Sequence, residues 1–294
     1  MAVLMEYAGK TDVGRVRKNN EDQFLIADLT KQLHVAQSSL HGSQLGEWTT
    51  GSTGHLLMVA DGMGGISGGE IASGLAVETM SWYVARTMPW FYRFQDGREK
   101  ELEAELVHAV EACQQTVSDA AAGSSFRRMG TTLTMAYVMW PRVYVVHAGD
   151  SRCYLHRGGH LSRMTKDHTV AQRGLDEGFL TAEQAKSPLL GNTLWNCIGG
   201  GTEGVTPDVY HATLEPGDEL LLCTDGLNRR LDDDAIGAIL KRASTPEVAT
   251  GALIDAANEA GGEDNITVIV GRLRAITQSD VTPPDSIAYR PAGR

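Results

Sequence analysis

Five carboxylates of the chain stand where an apolar run ends or begins. Leu56-Leu57-Met58-Val59-Ala60 runs into Asp61-Gly62-Met63-Gly64-Gly65, and Leu220-Leu221-Leu222-Cys223-Thr224 runs into Asp225-Gly226. Val143-Tyr144-Val145-Val146-His147 leads through Ala148 and Gly149 to Asp150. Asn20-Glu21-Asp22 comes just before Phe24-Leu25-Ile26, and Gly262-Glu263-Asp264-Asn265 just before the apolar stretch from Ile266. One Asp-Gly after an apolar run is an ordinary strand end and turn. Several that converge make a cation site. Antiparallel neighbours set the end of one strand beside the start of the next, so acids after some strands and before others meet on one edge of a sandwich. An oxygen-rich set without His or Cys suits Mg²⁺ or Mn²⁺ better than zinc or copper. Left without cations, the same acids repel one another and take up protons.

Arg15-Val16-Arg17-Lys18 stands just upstream of Asp22. A basic run before a strand is most often a solvated surface. An arginine beside a metal cluster is also what phosphate recognition needs, because its planar fork holds two oxygens while metals hold others. The 26 Lys and Arg against 37 Asp and Glu, a net charge of −11, oppose unassisted binding to nucleic acid or to an anionic membrane. Carboxylates gathered around cations reconcile that charge with a phosphate ligand. The glycines between Gly62 and Gly69 lack the Gly-Lys-Ser/Thr ending of a nucleotide-binding P-loop. Cys113, Cys153, Cys197 and Cys223 form no Cys-x-x-Cys pair and lie in or beside apolar segments, which predicts buried reduced thiols rather than a zinc site. No apolar run approaches the ~20 residues that span a bilayer. The opening MAVLMEYAGKTDVGRVRK lacks the pattern of a secretory signal, so a cytoplasmic monomer is expected.

The elements that must position these groups follow from periodicity. β-Branched and apolar content predicts strands at Phe24–Ala27, Leu56–Ala60, Thr131–Met139, Val143–His147, Cys153–His156, Glu219–Cys223 and Ile266–Leu273. Turn signals at Met139-Trp140-Pro141-Arg142 and Arg157-Gly158-Gly159-His160 make 131–164 an antiparallel meander. Helical spacing predicts one helix over 69–87, with Ile71, Leu75, Val77, Met80 and Val84 on its apolar side. A second spans 99–122, with Leu102, Leu106, Val110, Cys113 and Val117. Another pair covers Asp233–Lys241 and Pro246–Ala260, the latter capped by Ser244 or Thr245 and ended by Gly261-Gly262. Antiparallel strands with helix pairs outside predict an α+β fold in four layers: helix, sheet, sheet and helix. One domain over 1–275 is expected, with a polar loop insertion at 29–54, an irregular segment at 165–205 and a disordered tail at 276–294.

The fragments also stand in a telling order. Thr11-Asp12-Val13-Gly14 leads to Arg17-x-x-Asn20-Glu21-Asp22, then to Val59-Ala60-Asp61-Gly62-Met63-Gly64-Gly65, Met129-Gly130-Thr131-Thr132 and Ala148-Gly149-Asp150-Ser151-Arg152. Thr165-Lys166-Asp167-His168, Gly199-Gly200-Gly201, Thr224-Asp225-Gly226-Leu227 and Gly262-Glu263-Asp264-Asn265-Ile266-Thr267 follow. From about Ala8 to Leu273 the set resembles the metal-dependent serine/threonine protein phosphatases of the type 2C (PPM) family, particularly its compact bacterial members. The resemblance implies an α/β/β/α sandwich of two antiparallel sheets with two Mn²⁺ or Mg²⁺ ions between them. It implies that Asp61 bridges both ions and the Gly62 carbonyl ligates one, while Asp225 and Asp264 complete the other. Asp22 would bind directly or through waters, Asp150 would share a third, weaker metal with Asp225, and Arg17 would grip the substrate phosphate. A hydroxide bridging the two metals would attack phosphorus in line with the seryl or threonyl oxygen, without a phosphoenzyme. The implied partners are phosphorylated proteins, substrates of bacterial Ser/Thr kinases.

The chain departs from that pattern in places. Met63 stands where eukaryotic relatives often carry His, which leaves a metal-bound water to protonate the leaving group. The insertion at 29–54 exceeds a short hairpin, and Met88-Pro89-Trp90-Phe91-Tyr92-Arg93-Phe94 is unusually aromatic, suited to packing between helices or to partner docking. Leu194-Trp195-Asn196-Cys197-Ile198 lacks an arginine that bacterial relatives often have, within a segment, 165–205, that matches the family's flap beside the cleft. Two further readings stand beside the main one: a regulatory phosphatase of the same fold devoted to one partner, and a non-catalytic pseudophosphatase that binds phosphoproteins. Retention of Asp61, Asp225 and Asp264 argues against the second.

Overall fold

A computed structural model of the chain describes residues 3–30, 32–34, 47–49, 54–64, 68–86, 99–201 and 204–276. It begins with strands β1 (Val3–Asp12), β2 (Gln23–Leu29), β3 (Gln32–His34), β4 (Glu47–Thr49), β5 (Gly54–Ala60) and β6 (Gly62–Met63). Helices α1 (Gly68–Arg86) and α2 (Glu99–Ala122) come next. A meander follows, with β7 (Gly130–Thr131), β8 (Leu133–Met139), β9 (Arg142–Ala148), β10 (Arg152–Arg157) and β11 (His160–Arg163). Short helices α3 (Val170–Asp176), α4 (Ala182–Ala185) and α5 (Pro188–Gly191) lead to β12 (Ile198–Gly199), β13 (Asp208–Thr213) and β14 (Glu219–Cys223). Helices α6 (Asp225–Asn228), α7 (Asp233–Arg242) and α8 (Pro246–Glu259) precede β15 (Ile266–Ala275).

Two five-stranded sheets, β1-β15-β14-β10-β11 and β13-β9-β8-β5-β2, form the inner layers. The pairs within them are antiparallel, as expected for the meander. Alternation along a strand explains the layering, because successive side chains point to opposite faces. On β5, Leu57 and Val59 pack between the sheets with Ala136, Val145, Leu222 and Ile269. Leu56, Met58 and Ala60 point the other way and share a core with Ala76 and Met80 of α1 and Leu106 and Val110 of α2. On the far side Ile236, Leu240, Leu253 and Ile254 of α7 and α8 cover Leu221, Val268 and Val270. The four-layer α+β sandwich read from the sequence is the fold.

Three local details differ from expectation. The buried face of α1 is made of Ala72, Ser73, Ala76, Val77, Met80 and Val84, while Ile71 is exposed. Small side chains there let the helix lie close to its neighbours. The strand expected over Thr131–Met139 is divided at Thr132, because Gly130–Thr131 turns aside to pair with β6 and β12. Edge strands β1 and β13 were not anticipated. The predicted stripe of α2 is buried in full, Thr245 is the N-cap of α8, and all four cysteines are free and buried. Of the insertion at 29–54, the end of β2, the small β3–β4 ladder and the start of β5 are described. Its remaining residues, the aromatic segment 88–94 and the tail from 277 lie outside the described residues.

Candidate functional site

Strand register carries the acids to one edge of the sandwich. Gln23 pairs with Ala60, which sets Asp22 beside Asp61. Cys223 pairs with Arg152 on one side and Val268 on the other, which sets Asp225 between Asp150 and the turn of Asp264. Carboxylate oxygens of Asp61, Asp150 and Asp225 lie within 4.8 Å of one another. Asp22 is buried beside them, its Oδ2 accepting from the hydroxyls of Thr224 at 2.8 Å and Thr267 at 2.7 Å. Asp264 is partly exposed and accepts a hydrogen bond from Arg17 at 2.7 Å. The sequence-predicted residues are thus assembled, with Arg17 already tied to one of the acids.

Local sequence explains why the backbone holds these positions. The Asp61 N–H donates to Thr132 Oγ1, and its carbonyl accepts from the Thr132 N–H and the Thr131 hydroxyl, each at 2.9 Å. After Asp61 only a glycine fits: a Cβ on Gly62 would lie 2.2 Å from the Gly69 carbonyl oxygen and 2.6 Å from that of Glu21. Asn265 binds the loop of Arg17 to the start of β15, accepting from the Glu21 N–H at 2.8 Å and donating to the carbonyls of Val13 and Asn19. Met63 lies in β6 and its thioether has no proton to give.

Burial and mutual repulsion govern the charge of the cluster. Asp61 is held well above the usual carboxylate range, by burial first and then by Asp225 and Asp22. Burial pushes Asp22 up to about 7, although the two threonine hydroxyls oppose it. Asp150 is pushed up to about 7 by burial and by Asp225. Asp225 is raised by burial, with Arg229 opposing, and no donor group reaches its buried Oδ1. Such acids coexist either by sharing protons or by sharing cations. An all-oxygen donor set with an unpartnered buried acceptor fits a hard divalent ion, so the residues present fit the implied metals.

One cation of the site was missed in the sequence. Arg229 closes the C-terminal end of α6, donates to Asp150 Oδ2 at 3.0 Å and pairs with Asp225 Oδ2 at 2.5 Å. Its spacing of four residues from Asp225 at the start of a helix was the available signal. The segment after β11, which the family resemblance reads as a flap, is anchored next to Asp150 through His168, whose N–H donates to the Gly149 carbonyl at 2.7 Å. The ring of His168 accepts from the Gly149 N–H on Nδ1 and meets Asp208 at Nε2. Arg152 pairs with Asp167 through two parallel bonds of 2.9 and 2.6 Å. Between flap and acids lies a cleft of about 280 Å³, lined by Asp150, Gln172, Asn192, Asn228 and Arg229 among others.

The chain is similar to known proteins in sequence and in fold. Residues 34–253 match the protein phosphatase 2C family, a span that begins after Arg17 and Asp22 and stops before Asp264. The chain is 33% identical over 273 residues to the serine/threonine protein phosphatase PstP of Mycobacterium tuberculosis, covering 92% of this chain but 45% of that protein. It therefore spans less than half the length of that curated relative. Over 264 residues it is 31% identical to the protein phosphatase PhpP of Streptococcus pneumoniae, 90% of this chain and 96% of the relative. The catalytic domain of PstP, solved in complex with 2 manganese ions, has a TM-score of 0.71 and 30% identity, covering 93% of this chain and 100% of that one.

Proposed function

Because the chain belongs to the protein phosphatase 2C family, we propose that it is a Mn²⁺- or Mg²⁺-dependent phosphatase acting on phosphoserine and phosphothreonine in proteins. The observation that carries this reading is the converging trio of half-buried Asp61 and buried Asp150 and Asp225, with the donorless Asp225 Oδ1. We read residues 1–275 as one phosphatase domain. Asp61, the Gly62 carbonyl, Asp225, Asp264 and Asp22 would hold two ions. When bound, such ions stabilise charge on the phosphoryl oxygens and acidify a water for in-line attack.

The chain's own groups position the rest. Thr224 and Thr267 fix the carboxylate of Asp22, and Asn265 fixes the loop that carries Arg17. Arg17 is half exposed and tethered through one Nη to Asp264, so its fork can present other N–H groups to a phosphate without leaving the edge. The amides of Gln172, Asn192 and Asn228 line the cleft beside Asp150, where a polypeptide backbone finds donors and acceptors. The substrates are phosphoproteins made by bacterial Ser/Thr kinases, met by a monomeric enzyme in the cytoplasm. Among the described residues no helix is long and apolar enough to cross a membrane.

A phosphothreonine peptide should be hydrolysed only with added Mn²⁺ or Mg²⁺. Asp61→Asn and Asp225→Asn should each lower kcat/KM by more than about 100-fold, beyond the loss usual for changes outside the ligand set. Turnover without metal, or turnover unchanged in both variants, would overturn the reading.

A further inference from the structure

Asp150 and Asp225 are the two acids that the family resemblance assigns to a third metal, and here one oxygen of each is already engaged. The Arg229 guanidinium donates to Asp150 Oδ2 and pairs with Asp225 Oδ2. Its backbone is fixed as well, since the Arg229 N–H bonds to the Asp225 carbonyl at 2.9 Å at the end of α6. The neighbouring arginines serve other acids: Arg152 pairs with Asp167, and Arg230 with Glu263. A guanidinium does not lose its proton in a protein. A divalent ion on the same two oxygens would stand against a permanent positive charge at hydrogen-bond range.

We propose that Arg229 takes the place of a third cation, so that the site holds two divalent ions plus a built-in guanidinium between Asp150 and Asp225. The inference rests on the reading that Asp61 and Asp225 hold divalent ions. Charge supports it: two divalent ions, Arg229 and the Arg17 paired with Asp264 already set six positive charges against five carboxylates. A third ion would raise that excess from one charge to three. Asp150 is then a positioning residue, holding Arg229 in place rather than ligating metal, and Arg229 faces the cleft beside Asn228 as a fixed positive charge.

The test is the number of Mn²⁺ ions bound per chain at saturation, read by equilibrium dialysis with metal analysis on the full chain. The wild type should bind two, Arg229→Lys should bind two, and Arg229→Gln should bind a third. A third ion in the wild type would overturn the proposal, as would an Arg229→Gln variant that binds no more than the wild type. Melting in the presence of Mn²⁺ reports whether each variant is folded; if the Gln variant is not, the wild-type count still decides. A wild type that binds no Mn²⁺ would instead overturn the metal-dependent reading of the whole site.

Discussion

Strand β14 carries buried acids at both of its ends, and the two ends are built differently. At its start, Asp218 accepts from Arg157 at 2.8 and 2.6 Å and from the Glu215 N–H at 2.7 Å. Glu219 beside it accepts from His156 at 2.6 Å and Arg272 at 2.5 Å, and Arg272 also donates to the carbonyls of Ala243 and Ser244 after α7. Just past its other end, Asp225 has Arg229 on one oxygen and no donor on the other, and carboxylate oxygens of Asp61 and Asp150 lie within 4.8 Å. Burial alone therefore does not mark a site. An acid supplied with donors on every side is a brace; an acid surrounded by acids is waiting for a cation.

Asp225→Asn should separate the two ends most sharply. On the proposed reading it removes a metal ligand and so most of the turnover, by more than about 100-fold, yet it also removes a buried charge that its neighbours repel. Its melting temperature in chelator should be no lower than that of the wild type. A marked fall there would make Asp225 a structural acid and erase the contrast. Arg272→Met reverses the pattern. It leaves Glu219 buried and short of a donor, a loss of about 3 kcal/mol in denaturant unfolding, while kcat/KM with Mn²⁺ stays at the wild-type value below the melting range. Lost turnover in a folded Arg272→Met protein would show that the far end communicates with the site.

The contrast was only half legible in the sequence. Acids after Ala60, after Gly149 and after Thr224 were visible because each follows a β-rich run, and antiparallel pairing then forces them together. The strands themselves were visible where both faces are buried, as in β5, β9 and β14, and the half-exposed edge strand β2 was visible through its unbroken Phe24-Leu25-Ile26 run. β1 and β13 are edge strands with half-exposed side chains, so their apolar signal is diluted by residues such as Lys10, Asp208 and His211. The α1 stripe was misplaced at Ile71 because periodicity weights large side chains, whereas the close approach of that helix selects Ala72, Ser73 and Ala76. Arg229 was missed for a different reason: its helical spacing points to Asp225 alone, and only the three-dimensional meeting of Asp150 with Asp225 gives it a second partner.

His147 is a third kind of buried titratable group, and it gives the smallest of these effects. It lies on β9, three residues before Asp150, fully buried. Its Nε2–H donates to the Lys166 carbonyl at 3.0 Å, and Nδ1 accepts from the Thr134 hydroxyl at 2.8 Å. Both bonds suit a neutral ring. Burial, and then the ring of His168 at 4.8 Å between centroids, push its pKa down to about 3. In the unfolded chain the same ring titrates near its ordinary value of about 6.5. Below about pH 6.5 the unfolded state therefore takes up a proton that the folded state refuses, and stability falls as the pH drops toward about 3. Between about pH 7 and about pH 5 this amounts to about 2 kcal/mol. His147→Gln keeps a neutral donor and acceptor but does not titrate, so denaturant unfolding in chelator at the two pH values should show that loss in the wild type and about 2 kcal/mol less of it in the variant. If wild type and variant lose equally, protonation of His147 is not what loosens the joint between β9 and the flap in acid.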